Sequence, residues 1–183
     1  MRYVIVSIVK GGAGEFNNNM RKELYENFKA KSSKLPAHFT IKAPFEYDKD
    51  IDDLENAIES FCMRNKKTKY IMDKYNHFDK RVIYMEVKIS YEGKKVHDEL
   101  IDVLNKFSYI RFKENEGKNK IFHVTLVSKK LTLIYNDIWA YVNNYPFRFE
   151  CLFDNVSIYV WKDNTWKLYK EFKIGRASCR ERV

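Results

Sequence analysis

Hydrophobic and polar residues alternate one for one in two separated stretches, 35–42 (Leu-Pro-Ala-His-Phe-Thr-Ile-Lys) and 120–127 (Lys-Ile-Phe-His-Val-Thr-Leu-Val). A period of two is the signature of a half-buried strand. Phe39 and Ile41 in the first stretch, and Val124 and Leu126 in the second, form the apolar set. His38 and Thr40, and likewise His123 and Thr125, then fall on the opposite face. Alternate residues of a strand lie roughly 6.6 Å apart, so each imidazole has a hydroxyl as its neighbour on that face. Packing alone gives no reason to place this pair on a strand twice. Two such strands side by side would line a polar cleft with two imidazoles and two hydroxyls, the groups a phosphodiester site needs.

The remaining pattern frames these strands. Residues 2–9 read as a buried first strand, 11–14 (Gly-Gly-Ala-Gly) as a loop, and Phe16, Met20, Leu24 and Phe28 as one face of a helix. The glycines lack the Gly-Lys-Ser/Thr ending of a phosphate-binding loop, so the stretch predicts a flexible connection near the cleft mouth. Asp50 is placed to cap a helix running to about residue 65, with Ile51, Leu54, Ile58 and Phe61 inward. Residues 69–78 and 82–89 predict two strands joined by the polar turn Asp79-Lys80-Arg81. A helix follows Gly93 with Val96, Leu100, Leu104 and Phe107 inward, which leaves His97 facing solvent. The polar segment 113–120 reads either as a mobile loop over the cleft or as solvated linker. A helix at 131–142 and strands at 147–153, 156–161 and 166–172 complete the series, with Asp163-Asn164 as a hairpin turn.

Strands and helices in this order fall into two similar halves, which accounts for the histidine motif returning 85 residues later. The expected fold is α+β: two pseudo-symmetric lobes of antiparallel-rich sheet, helices outside, and a cleft between them.

Length and composition refine the picture without redirecting it. A chain of 183 residues suits one bilobal domain, here residues 1–173. Residues 174–183 lack Lys, are dense in Arg, and read as a non-native, adaptor-like extension outside the fold. That tail holds three Arg and one Glu, so the formal charge of +9 becomes +7 for the body. Such a surplus suits an anionic partner, though Lys-rich proteins reach it without one. Cys62 and Cys151 lack C-x-x-C partners, which argues against a zinc site or disulfide framework and fits a reducing compartment. No run is long enough to span a membrane, and the opening Met1-Arg2-Tyr3-Val4 reads as a strand and not as a leader. The expected location is the cytoplasm.

His38-Phe39-Thr40-Ile41 and His123-Val124-Thr125-Leu126 resemble the paired H-x-[ST]-φ signature of the two-histidine (2H) phosphoesterases, also called LigT-like or 2'-5' RNA ligase-like proteins. The continuation Lys42-Ala43-Pro44-Phe45 is similar to bacterial members, and the resemblance covers about residues 1–173. It implies metal-independent, cofactor-free attack on nucleotide phosphodiesters, opening 2',3'-cyclic phosphates or cutting 2'-5' linkages, with ligation as the reverse reaction. The expected partner is a nucleotide or RNA terminus as substrate, with no membrane, no metal and a monomeric chain.

The residues themselves support that chemistry. Cleavage needs a base for the attacking oxygen and an acid for the leaving one. Imidazole, with an ordinary pKa near 6.5, serves as either at neutral pH. His38 and His123 are the expected catalytic pair, while Thr40 and Thr125 are placed to donate hydrogen bonds to the phosphoryl oxygens, where charge develops. A metal reading would need a third ligand at a matching position, and none is evident in the sequence. A lone imidazole in a strand is usually a packing residue; His77 lacks the Thr partner and reads as a strand or turn residue, His97 reads as a solvent-facing residue of its charged helix, and neither is placed in the site. Lys42 shares the predicted face of His38 and Thr40, so it is either a phosphate ligand or a solvated strand end. Phe45, Tyr47 and Phe122 flank the motifs, as stacking surface for a base or as core. Trp161 points away from Val156, Ile158 and Val160, and the resemblance, which implies a cleft-facing residue near this place on a late strand, makes it an expected substrate contact. The alternative function is an RNA- or nucleotide-binding module of the same fold with little catalysis. Its binding would fall steeply with salt and respond weakly to loss of either histidine.

Overall fold

The computed structural model describes residues 1–175. The first lobe is a four-stranded antiparallel sheet in the order β10-β9-β1-β2, made of β1 (Arg2–Ile8), β2 (His38–Glu46), β9 (Asn155–Lys162) and β10 (Thr165–Lys173). The second lobe is built on one long hairpin. Its first arm is β3 (Thr68–Met72) and β4 (Tyr75–Phe78), and its second arm is β5 (Val82–Glu86) and β6 (Lys88–Ile89). β7 (His123–Val127) pairs with β5, β8 (Phe149–Phe153) pairs with β3, and the Glu86 N–H donates to Lys74 O at 2.8 Å where the arms break. Both histidine strands are therefore edge strands, and the two edges pack against each other.

Turn chemistry fixes the hairpins where the sequence places them. Asp163 and Asn164 both take positive φ, 53° and 59°, as a two-residue β-hairpin turn requires. Asp79 does the same at φ 48°, and the Arg81 N–H closes that turn on Phe78 O.

Four helices cover the sheets: α1 (Gly11–Phe28), α2 (Asp52–Arg64), α3 (Tyr91–Leu104) and α4 (Tyr135–Val142). Ser90 caps α3 by accepting the Gly93 N–H at 3.0 Å. The stretch 11–14 is the first turn of α1 and not a loop. One of its glycines serves close approach: a Cβ at Gly14 would lie 2.2 Å from the Val9 carbonyl oxygen. α1 connects β1 to β2, yet it packs on β7 and β8 of the other lobe.

One continuous core joins the lobes. Phe39, next to the first histidine, is 1% exposed, and its ring centroid lies 5.6 Å from Tyr70, 5.7 Å from Phe122 and 5.4 Å from Phe153. Phe39→Ala would cost about 3–5 kcal/mol through lost burial and the cavity left behind. Ile174, assigned on composition to the tail, is buried and its N–H donates to Asp154 O, so the packed chain runs at least one residue beyond 173. Gly175 follows, its N–H donating to Cys62 O at 2.9 Å, and residues 176–183 of the expected extension lie outside the described residues. Among the described residues, no helix is long and apolar enough to cross a membrane.

Candidate active site

His38 opens β2 and His123 opens β7, and their rings are held in the same way. His38 Nδ1 lies 2.8 Å from Pro36 O, and His123 Nδ1 lies 2.8 Å from Ile121 O. A carbonyl oxygen only accepts, so Nδ1 carries the proton in both rings and Nε2 is left with its lone pair. In each motif the carbonyl two residues upstream sets the tautomer. Phe39, Ile41, Val124 and Leu126 are all buried, while His38, Thr40, His123 and Thr125 are half-exposed, as period two requires.

Alternation stops at the threonine in both strands. Val6 pairs with Thr40 but Ile5 pairs with Lys42, so Ile41 is an extra residue. Tyr84 pairs with Thr125 but Ile83 pairs with Val127, so Leu126 is extra in the same place. Each is a β-bulge, which reverses the faces beyond it. Lys42 is therefore turned away from His38 and Thr40. Its side chain is 5% exposed, with Nζ 3.4 Å from Glu116 Oε2 and 5.6 Å from the Phe112 ring centroid. The expected phosphate ligand is a buried, ion-paired lysine.

Trp161 does share the cleft face of the first sheet, but at its far end. Ile8 pairs with His38, whereas Tyr3 pairs with Val160, next to Trp161. The intervening run of β1 spans roughly 20 Å. Trp161 packs edge-on against Trp166 at 5.2 Å, and the structure does not bring it to the histidines.

α1 places both motifs relative to each other. Asn18 Oδ1 accepts the Ala37 N–H at 3.1 Å, just before His38, while Asn17 Nδ2 donates to Thr125 O at 3.3 Å. Neighbouring asparagines on one helix thus hold one histidine strand each. Arg21, one turn on, donates to Ser32 Oγ and Ser33 O in the segment leading to β2.

The electrostatics keep both rings neutral in the free protein. Burial lowers the His38 pKa from its ordinary 6.5 to about 4, helped by the charges of Arg21 and His123 and opposed by the Pro36 hydrogen bond. The His123 pKa is also lowered, chiefly by burial and further by Lys120, against the Ile121 hydrogen bond. The His123 charge is among those that oppose protonation of His38, and the strands that carry the two rings, β2 and β7, pack on each other. Phe78 and Tyr84 flank the His123 ring, at 5.1 and 5.2 Å between centroids.

Two cavities meet at His123. The smaller, about 240 Å³, includes Thr40, Lys120 and His123 in its lining. The larger, about 810 Å³, runs to the tip of the β4–β5 hairpin, where it is lined by Asp79, Arg81 and Val82. Asn115 and Ile121 line both. The segment 113–120 is thus a wall of the cleft, fixed by Glu116 to Lys42, by Lys118 to Asp102 at 2.7 Å, and by Lys94 Nζ to Lys118 O at 2.7 Å.

The other two histidines differ from the sequence expectation in opposite ways. His77 contributes to the wall of the larger cavity, with its ring edge-on to Trp139 at 5.1 Å. His97, expected in solvent, is fully buried at 4.6 Å from the Phe122 ring, because the inward stripe of α3 runs Gly93, His97, Leu100, Leu104. Sequence reasoning also missed Arg21, Tyr84 and Lys120. Of these only Lys120 carried a local signal, as the residue that opens the second alternating stretch.

Two edge strands in paired antiparallel lobes, each presenting an Nε2 lone pair and a threonine, define a two-histidine phosphoesterase fold. The family model of the 2'-5' RNA ligase superfamily matches residues 14–165, and the chain belongs to that superfamily. The fold is similar to that of TT0787 of Thermus thermophilus, at 9% identity over 96% of this chain and 98% of that one, with a TM-score of 0.66. It is similar as well to E. coli LigT complexed with 3'-AMP, at 13% identity over 96% and 98% of the two chains, with a TM-score of 0.60. At such identities the likeness is one of fold. Among curated proteins, none matches the sequence.

Proposed function

We propose that this protein is a metal-independent phosphodiesterase that opens 2',3'-cyclic phosphates or cleaves 2'-5' linkages at nucleotide or RNA termini by two-histidine general acid/base catalysis. The observation that supports it most is the mirrored tautomer: in both motifs Nδ1 is committed to a carbonyl, so both reactive Nε2 atoms are free.

In the forward reaction one Nε2 takes the proton of the attacking water as the new P–O bond forms. The opposite ring, protonated at Nε2, gives its proton to the departing ribose oxygen as the old P–O bond breaks. Protons balance over the cycle, and the rings exchange roles in reverse ligation. Thr40 and Thr125 donate to the non-bridging oxygens, where negative charge grows. LigT has been solved with 3'-AMP, a mononucleotide, and cavities of about 240 and 810 Å³ meeting at His123 provide room for a phosphate and an attached nucleoside.

The test is turnover of a panel of 2',3'-cyclic mononucleotides, cyclic di- and trinucleotides and 2'-5' dinucleotides, with and without EDTA, by wild type, His38→Ala and His123→Ala. Turnover should persist in EDTA and collapse in either variant. Activity that EDTA abolishes and zinc restores would overturn the reading, as would variants that turn over normally.

A further inference from the structure

Outside the mirrored motifs, the Lys120 side chain ties the approach to β7 to the first histidine strand, β2. Lys120 lies three residues before His123, and its Nζ donates to Thr40 O at 2.5 Å and to Ile41 O at 2.8 Å. Those carbonyls belong to the bulge that follows the first motif. Lys120 also lines the smaller cavity together with Thr40 and His123. The opposite lobe has no matching lysine: three residues before His38 stands Leu35, which is buried against the cleft face of the first sheet.

We propose that Lys120 is a positioning residue of the site, whose ammonium clamps the Thr40 strand to the approach of His123 and places a titratable positive charge in the cavity that His123 lines. This deepens the phosphodiesterase reading and rests on it for its effect on turnover. A bulge carbonyl has lost its ladder partner and needs another donor. A lysine reaching from the facing edge strand supplies it and sets the separation of the two edges. The charge acts on the ring as well, since Lys120 opposes protonation of His123 and so keeps Nε2 available.

The surroundings keep that charge responsive. Burial, with repulsion from Lys42 and Lys94, lowers the Lys120 pKa to about 7 against the pull of Glu116. His97 faces Lys120 from α3 and is held neutral, in part by its charge. Around His123 itself stand Glu86, its partner across β5, then Tyr84 and His38.

The experiment is an NMR titration of the His123 ring in the wild type, Lys120→Gln and Lys120→Arg, with kcat and KM measured across pH on whichever substrate of the panel is turned over. Gln keeps a donor without the charge; Arg keeps the charge. The His123 midpoint should move to higher pH in Lys120→Gln and stay near the wild-type value in Lys120→Arg. Turnover should fall about tenfold or more in Lys120→Gln, mainly in kcat, and recover in Lys120→Arg. An unmoved His123 midpoint in Lys120→Gln overturns the proposal. If Lys120→Gln does not fold, the wild-type His123 shift curve decides: a second inflection at the pH where the Lys120 Cε resonance itself titrates supports the proposal, and no inflection there overturns it. The titration needs no substrate, so a protein inactive on the whole panel leaves this test standing and sinks only the activity.

Discussion

In β2 the residue after Thr40-Ile41 is Lys42, and in β7 the residue after Thr125-Leu126 is Val127; both side chains turn into the interior. Val127 simply joins the core, while Lys42 has to be neutralised there by Glu116. Up to the bulge the two strands are alike: imidazole, buried apolar residue, threonine, with a carbonyl two residues upstream holding Nδ1. Beyond it they diverge. His38 is exposed to the Arg21 charge and has the more strongly lowered pKa, whereas His123 lies between Phe78 and Tyr84 where the two cavities join. The repeat is kept where a phosphorus atom would have to be addressed from two sides and is relaxed elsewhere.

Removing either ring tests the equivalence most severely. His38→Ala and His123→Ala should each lower kcat about 10²- to 10⁴-fold on the cyclic or 2'-5' substrate, with circular dichroism unchanged. A large loss in only one of them would mean that the second motif is a packing repeat.

The pH profile sharpens the comparison next. Both free-enzyme pKa values lie below 6.5, that of His38 at about 4. The profile of kcat/KM rises as the base sheds its proton and falls once the acid has lost its own. Its maximum should therefore lie between about 4 and 6.5, with rates dropping about tenfold per pH unit above it. A plateau through pH 7–8 would contradict the depressed pair.

Smaller effects belong to the hydroxyls. Thr40→Val and Thr125→Val should each lower kcat by about 10- to 100-fold, or roughly 1.4–2.7 kcal/mol of transition-state stabilisation, with KM nearly constant. The smallest belong to the two residues that the sequence placed in the site. Lys42→Met should leave kcat/KM within about threefold while lowering stability by roughly 1–3 kcal/mol in urea unfolding, since Glu116 loses its partner. Trp161→Ala should leave kinetics unchanged; a raised KM there would mean that substrate reaches along the first sheet.

The mirrored histidines were legible because strand alternation is local, and the same logic found the hairpin turns at Asp79 and Asp163. What failed, failed at breaks in that periodicity. A bulge inserts a residue without a compositional mark, so Lys42 was projected onto the wrong face. Val127 held the clue, since strict alternation would also have put a valine in the polar cleft. Gly14 misled because glycine serves both loops and close helix packing, and only the Val9 carbonyl above it decides which. His97 was misplaced because a charged helix still has one buried stripe, and polar neighbours in sequence do not show which positions it takes. Lys120 was not legible as a clamp, because its acceptors are main-chain atoms some 80 residues earlier.

Both Nε2 atoms should address one phosphorus, and a crystal structure of the protein with a nucleoside vanadate would reveal whether they do. A single pentacoordinate vanadium is expected, with an Nε2 from each histidine within about 3 Å of oxygens on opposite apices. Vanadate held by one imidazole alone, or by neither, would contradict it.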